Sequence, residues 1–295
     1  MDFNLREDYG DVVIEKDGIT KARCYFNTTP MENGKHVGAI GEFNPDSLEE
    51  GIAVLNKCEE VLKSKGVEKI VGPMDNTTWR KYRTLVYSNG EPAFLLENVN
   101  PIEHNEMFLK AGFEREYNYT STKGKISDYE ESKVHNLLVE KMNKENVVIR
   151  HFNKENYIED LKKIYEVALP SFYRNPLYTP ITEEEFLKQY TPYISKFDED
   201  LILIAEKEGK PVGFLFTIPD FDPHTLVVKT GVVLKEYQSF ALGSIILSEL
   251  KKIAVEKGYT DWIFAFMYEE NTSQKYAKRH HTHLIREYAL YGKNI

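Results

Sequence analysis

The sequence has only two cysteines in 295 residues, Cys24 and Cys58, and no C-x-x-C spacing. That gives no disulfide framework, and a reducing cytoplasm is the simplest expected location. Positive charge is not in excess: 38 Lys and Arg stand against 47 Asp and Glu, a formal net charge of −9. This balance argues against nucleic acid as the main partner. No apolar run approaches the ~18 residues of a membrane-spanning helix. The opening Met1-Asp2-Phe3-Asn4-Leu5-Arg6-Glu7-Asp8 is too polar for a secretion signal. What is present suits a packed core: 41% hydrophobic and 29% charged residues, in a length expected to hold two domains.

The most informative stretch runs from Thr225 to Gly258. Thr225 to Val228 and Thr230 to Leu234 are rich in β-branched residues, as a buried strand is. A turn at Lys235-Glu236-Tyr237-Gln238 follows. Leu242, Ile246, Leu250 and Ile253 then recur at helical steps and share one face. A strand, a tight turn and a helix can bind an anion, because the first helical N–H groups have no partner inside the helix and the dipole is positive there. The small residues Ser239, Ala241, Gly243 and Ser244 would let a phosphate approach that backbone.

Gln238-Ser239-Phe240-Ala241-Leu242-Gly243 resembles the Q/R-x-x-G-x-G/A pyrophosphate loop of the GNAT superfamily of acyl-CoA N-acyltransferases. Ala241 stands where glycine is usual. If that position needs φ > 0, its Cβ costs about 1 kcal/mol or slightly more. The second half reads β-α-α-β-β-β-α-β-α-β, which is the GNAT order. Tyr178-Thr179-Pro180-Ile181-Thr182-Glu183-Glu184-Glu185-Phe186, Pro211-Val212-Gly213-Phe214, Pro219-Asp220 and Gly72-Pro73-Met74 are similar to a bacterial tandem-GNAT family. That family includes proteins resembling bacterial ceramide synthases. The resemblance covers nearly the whole chain and names no substrate. It implies an α/β (α+β) fold of two GNAT-like domains in tandem, each a mixed, mostly antiparallel twisted sheet flanked by helices.

The first half follows the same order. Val12 to Glu15 and Ile19 to Phe26 predict a hairpin turning at Asp17-Gly18. His36 to Phe43, Val67 to Val71, Pro92 to Leu96 and Phe113 to Thr120 predict strands. Helices are expected from Asn44-Pro45-Asp46-Ser47 to Gly66 and from Asn100-Pro101 to Ala111. The junction after Phe43 lacks the pyrophosphate-loop spacing, and Asp46, Glu49 and Glu50 would repel a diphosphate, so this half is expected to work without acyl-CoA. The loop Val71 to Trp79 either lines a substrate cleft or is a structural turn. The expected organisation is a degenerate domain over 1–125, a helical linker over 126–146 and an acyltransferase domain over 147–295.

The resemblance implies acetyl-CoA, or another acyl-CoA, as co-substrate with no metal, and a small-molecule or lipid amine as acceptor. It places the thioester carbonyl at the Val233 N–H, and the diphosphate on Gln238, Ser239, Phe240, Ala241, Leu242, Gly243 and Ser244. Asn271 would contact the pantetheine arm, or only cap a helix. Tyr276 would protonate the leaving thiolate, or only pack. The general base is left open among Glu206, Asp220, Asp222, Glu269 and Glu270. His280, His281 and His283 lack a further spaced ligand for a metal. Phe172, Tyr173, Tyr178, Tyr190 and Tyr193 fall where GNAT substrate lids lie, and either line a pocket or fill core. Two alternatives to acetyl transfer remain: long-chain acylation of a lipid amine, and binding of acyl-CoA or amine without turnover.

Overall fold

The computed structural model describes residues 1–295, apart from the Phe240 side chain. In chain order the elements are β1 (Asn4–Asp8), β2 (Asp11–Lys16), β3 (Ile19–Tyr25), β4 (Met31–Glu32), β5 (Lys35–Gly41), α1 (Leu48–Ser64), β6 (Lys69–Gly72), β7 (Thr84–Ser88), α2 (His104–Lys110) and β8 (Glu114–Lys125). Then follow α3 (His135–Lys144), β9 (Val147–His151), α4 (Tyr157–Phe172), α5 (Glu183–Tyr190), β10 (Ile202–Lys207), β11 (Lys210–Pro219), β12 (Thr225–Val233), α6 (Leu242–Glu256), β13 (Asp261–Tyr268), α7 (Ser273–Arg279) and β14 (His283–Asn294).

The chain divides into two units. The first holds Met1–Thr120, Asn175–Thr179 and Ile285–Ile295; the second holds Ser121–Arg174 and Pro180–Leu284. The first unit therefore takes most of the last strand of the chain, and the second takes the end of β8. In the first unit the strand order is β1-β2-β3-β5-β6-β14-β8, with β4 on β5 and β7 on β14. β5 and β6 run parallel there, as a strand–helix–strand crossover requires. Its core sets Val54, Leu55, Cys58 and Leu62 of α1 against Ile14, Ile40, Ile70 and Tyr291.

Ser47 caps α1 by accepting from the Glu50 N–H at 3.2 Å, as its sequence signature predicts. The expected strand at Pro92 to Leu96 does not form; β7 at Thr84–Ser88 pairs with β14 instead. Pro92 has no N–H to give a ladder. The Glu91 and Pro92 carbonyls accept from the Arg286 guanidinium at 2.6 and 2.8 Å. Arg286 also pairs with Glu97 at 3.0 Å, both side chains buried, and the Tyr288 hydroxyl donates to the same carboxylate at 2.6 Å. This network holds the 84–97 segment to β14.

The second unit orders its strands β8-β13-β12-β11-β10-β9, with β12 and β13 parallel. The spaced residues Leu242, Ile246, Leu250 and Ile253 of α6 are all buried, and pack with Leu203, Leu215, Leu226, Trp262 and Phe264. On the other side of the sheet lie α4 and α5. Thr182 and Glu185 form the capping box that opens α5. Helix α4 passes two residues beyond Pro170, its expected end. Arg150 of β9 holds Asp160 of α4 at 2.6 Å and Glu206 of β10 at 2.6 Å, which joins three elements through one guanidinium. No helix among the described residues is long and apolar enough to cross a membrane.

Breaking the buried Arg286–Glu97 pair is expected to be costly, because one charge stays buried alone. Glu97→Ala should destabilise the protein by about 3–5 kcal/mol, read as a lower urea midpoint.

Candidate active site

The parallel ladder between β12 and β13 is short. It pairs Thr225 with Asp261, Leu226 with Trp262, Val227 with Ile263 and Val228 with Phe264, then stops, although both strands continue. Each strand has an irregularity just past the last pair. On β12 the register against β11 slips between Thr217↔Val228 and Phe216↔Thr230, so Lys229 is an extra, bulged residue. On β13, Phe266 takes φ 54° and sends its N–H to the Ser121 hydroxyl at 3.0 Å, away from β12. The strands separate there, opening a gap toward their C-terminal ends.

What faces that gap follows from strand alternation. The Leu234 N–H donates to the Val212 carbonyl of β11 at 2.9 Å. Neighbouring peptide groups along a strand point to opposite edges, so the Val233 N–H and C=O point away from β11, into the gap. The Val233 carbonyl accepts from Gln238 Nε2 at 3.0 Å, which fixes the turn after the strand.

The loop then enters α6 through Ala241, at φ 53° and ψ 32°. The left-handed position that the motif usually gives to glycine is thus kept by an alanine. Of the five N–H groups from residue 240 to 244, that of Ala241 is taken by the Gln238 carbonyl at 3.0 Å and that of Ser244 by the Ala241 carbonyl at 2.8 Å. The N–H groups of Leu242 and Gly243 have no backbone acceptor among the described residues. Gln238 and Ser239 are exposed. The Phe240 side chain lies outside the described residues. At Gly243 a Cβ would come within 3.0 Å of the Tyr276 hydroxyl and 3.7 Å of Val233 Cγ2. The phenol of α7, the start of α6 and the end of β12 therefore meet at one place. Asn271 is exposed, and its side chain does not cap α7: the N-cap is Thr272, without a side-chain bond.

The acidic candidates divide. Burial pushes the Glu206 carboxyl up, but hydrogen bonds from Arg150 and Lys163 outweigh it and hold it below the ordinary range. Asp222 accepts from the His224 N–H and the Thr225 hydroxyl, which also lowers its carboxyl. Asp220 donates its N–H to the Thr225 carbonyl in the same turn. Glu269 and Glu270 are exposed beyond the end of β13. No carboxylate lies on β12 itself.

No group of three metal-ligating side chains occurs among the described residues. His280 is buried and stacked on Tyr129, with ring centroids 4.2 Å apart. Burial, with Arg279 and His281 adding to it, pushes its imidazole down to about 4. The aromatic candidates also separate. Tyr190 sits 4.6 Å from Phe186 and 6.3 Å from Phe216 on β11, and burial pushes its phenol up to about 12. Tyr173 and Tyr193 are exposed. Phe172 is half-buried. Tyr178 lies in the first unit against Trp79 at 6.0 Å, and the Trp79 indole donates to the Thr179 carbonyl, so the Val71 to Trp79 loop is tied down locally.

The first unit has the same parallel crossover but no such gap. After Ala39↔Val71 its ladder ends, and the following loop returns to β5: the Met74 N–H donates to the Ile40 carbonyl at 2.8 Å and the Glu42 N–H to Asp75 Oδ1 at 2.8 Å. A Cβ on Gly41 would lie 2.7 Å from the Met74 carbonyl.

The sequence model of the acetyltransferase (GNAT) family matches residues 161–281, from α4 through α7. A crystal structure of a GCN5-related N-acetyltransferase from Sphaerobacter thermophilus superposes on this chain with a TM-score of 0.56 at 12% identity, covering 96% of this chain and 80% of that one. A tandem GNAT protein from the clavulanic acid biosynthesis pathway gives 0.51 at 10% identity, covering 96% and 82%. A GCN5-related glucosamine N-acetyltransferase region of a fungal multi-domain beta-N-acetylglucosaminidase gives 0.56 at 14%, covering 96% of this chain and 33% of that one. No curated protein sequence matches the chain. At these identities the likenesses show the fold: two GNAT-like domains in tandem. Lys229 was not singled out from the sequence, though a lone lysine within T-L-V-V-K-T-G-V-V was a readable sign of a bulge.

Two outcomes follow. Ala241→Gly should stabilise the second unit by about 0.5–1 kcal/mol, because relief of the left-handed Cβ exceeds the added unfolded-state freedom; a thermal melt measures it. His280 is held neutral when folded, so the unfolded chain binds the extra proton between about 6.5 and about 4. Its contribution to stability should fall as pH drops through that window. His280→Phe should show a flatter stability–pH curve there in urea titrations.

Proposed function

We propose that this protein transfers an acyl group, most simply acetyl, from acyl-CoA to an amine by direct attack of the nitrogen on the thioester. The observation that carries the reading is the interrupted β12–β13 ladder, with the Val233 N–H aimed into the gap and the Tyr276 hydroxyl over the first turn of α6. The residues present fit the co-substrate. The Leu242 and Gly243 N–H groups and the α6 dipole suit a diphosphate. The missing side chain at Gly243 leaves room beside Tyr276.

Acyl-CoA would supply an acyl carbon already activated as a thioester. The Val233 N–H would hold its oxygen, where charge develops during attack. A C–N bond forms and the C–S bond breaks; the nitrogen gives up a proton and the sulfur gains one. Tyr276 would deliver a proton to sulfur. With no carboxylate on β12, water would carry away the proton of the amine. Much of the acceleration would come from holding the two reactants in line.

A longer acyl chain on a lipid amine is the second reading, favoured by the aromatic wall of Phe186, Tyr190 and Phe216. Release of free coenzyme A from acetyl and palmitoyl thioesters, over a panel of amines, decides between them. Tyr276→Phe should lower kcat by about 10²–10⁴-fold. Gly243→Glu should weaken acetyl-CoA binding at least about tenfold, by placing negative charge against the diphosphate. Unchanged acetyl-CoA affinity in Gly243→Glu would remove the loop from the site. Absence of turnover with every amine and both thioesters would leave binding without catalysis.

A further inference from the structure

We infer that Tyr129 and His280 are positioning residues: together they hold the Tyr276 hydroxyl against the first turn of α6. The inference rests on the acyl-transfer reading above, where Tyr276 is the acid that meets the leaving thiolate.

Helix α7 is seven residues long, too short to be stable as an isolated helix. Only Ala277 of it is buried, so it brings little apolar surface of its own. Packing beyond the helix must therefore set where Tyr276 lies. His280 ends α7: its N–H donates to the Tyr276 carbonyl at 3.1 Å, and the residue is buried. Its ring stacks on Tyr129 with the two planes 28° apart. Tyr129 in turn meets the fully buried Trp262 of β13 edge-on, centroids 5.6 Å apart. The Tyr129 hydroxyl donates to the Ser244 carbonyl at 3.1 Å. Ser244 follows Gly243, the residue that Tyr276 approaches. One ring thus touches both sides of that approach, the end of α7 and the first turn of α6.

Tyr129 is itself fixed to α6 at a second point. Lys251, about two turns beyond Ser244, donates to the Tyr129 carbonyl at 2.8 Å, and its ammonium lies 5.3 Å from the centre of the Tyr129 ring. Burial pushes the Tyr129 phenol up to about 12, so its hydroxyl keeps the proton that it gives to Ser244. His280 Nδ1 and Trp262 Nε1 are buried with no hydrogen-bond partner among the described residues. Ring packing, rather than a bond at Nδ1, therefore orients the imidazole. A phenyl ring in its place would keep the stack; a methyl group would not.

The test uses the full chain with acetyl-CoA and the best amine of the panel. His280→Ala should lower kcat about 10–100-fold with little change in KM for acetyl-CoA, because the loop before α6 is untouched. His280→Phe should recover most of that loss. Tyr129→Phe keeps the core filled and removes only the bond to Ser244; it should lower kcat about 3–10-fold, and it carries the test if His280→Ala does not fold. In a Tyr276→Phe background neither His280→Ala nor Tyr129→Phe should lower kcat further, since both act through that hydroxyl. A nuclear Overhauser contact between the Tyr276 ring and the Gly243 α-protons, in selectively labelled protein, reads the placement without turnover. It should weaken in His280→Ala and Tyr129→Phe and return in His280→Phe. An unchanged contact in both variants, or kcat losses that persist in the Tyr276→Phe background, overturns the inference. Absence of turnover with every amine, or full kcat in Tyr276→Phe, counts instead against the role of Tyr276 in transfer, and the contact alone then decides the positioning.

Discussion

Parallel strands that stay side by side use every peptide group of the shared edge on each other. β12 and β13 do so only as far as Val228 and Phe264. Beyond that point an extra residue in one strand and a left-handed residue in the other turn the edges apart. The rest of the candidate site depends on this separation. It leaves the Val233 N–H turned away from β11, on the edge where the β13 ladder has ended, and Tyr276 lies beside Gly243. A regular ladder at the same place would satisfy those groups internally and leave no recess for a ligand.

The first unit shows what the same crossover does without the separation. β5 and β6 also run parallel and also part early, yet the loop after Gly72 comes back and donates to Ile40 and accepts from Glu42. The helix that follows β5 is capped by Ser47, with Asp46, Glu49 and Glu50 around its start. Negative side chains already occupy the field that a diphosphate would need. The two halves share a parallel crossover; in the first unit the peptide groups beyond it are bonded back to the returning loop, and in the second the β12–β13 ladder simply ends.

Electrostatics around the open gap are unusual for their sign. The chain as a whole is acidic, but β12 carries a single lysine and no carboxylate. Buried acids of the second unit are matched to Arg150 and Lys163 on the opposite edge of the sheet, where they join β9, α4 and β10. Ala241 in a left-handed conformation adds a small local strain at the point where the chain must turn into α6.

Much of the architecture was legible in the chain itself. Periodic apolar positions in α6, the Asp17-Gly18 turn, the Ser47 cap and the Thr182–Glu185 capping box are local signals, and each formed as its residues dictate. The order of elements and the Gln238 to Gly243 spacing were enough to expect the strand, turn and helix found there. What sequence could not settle depends on partners far along the chain. Pro92 to Leu96 reads as a strand by composition, but the Glu91 and Pro92 carbonyls at its start are claimed by Arg286, nearly two hundred residues away. Glu206 was a candidate base until Arg150 and Lys163 were found against it. The opening of the gap is likewise a tertiary outcome: a bulge exists only relative to the neighbouring strand, so Lys229 shows its place only once β11 and β13 lie beside it. Local propensity determined which segments form helices and strands; long-range pairing decided which peptide groups and which charges are engaged by partners within the protein.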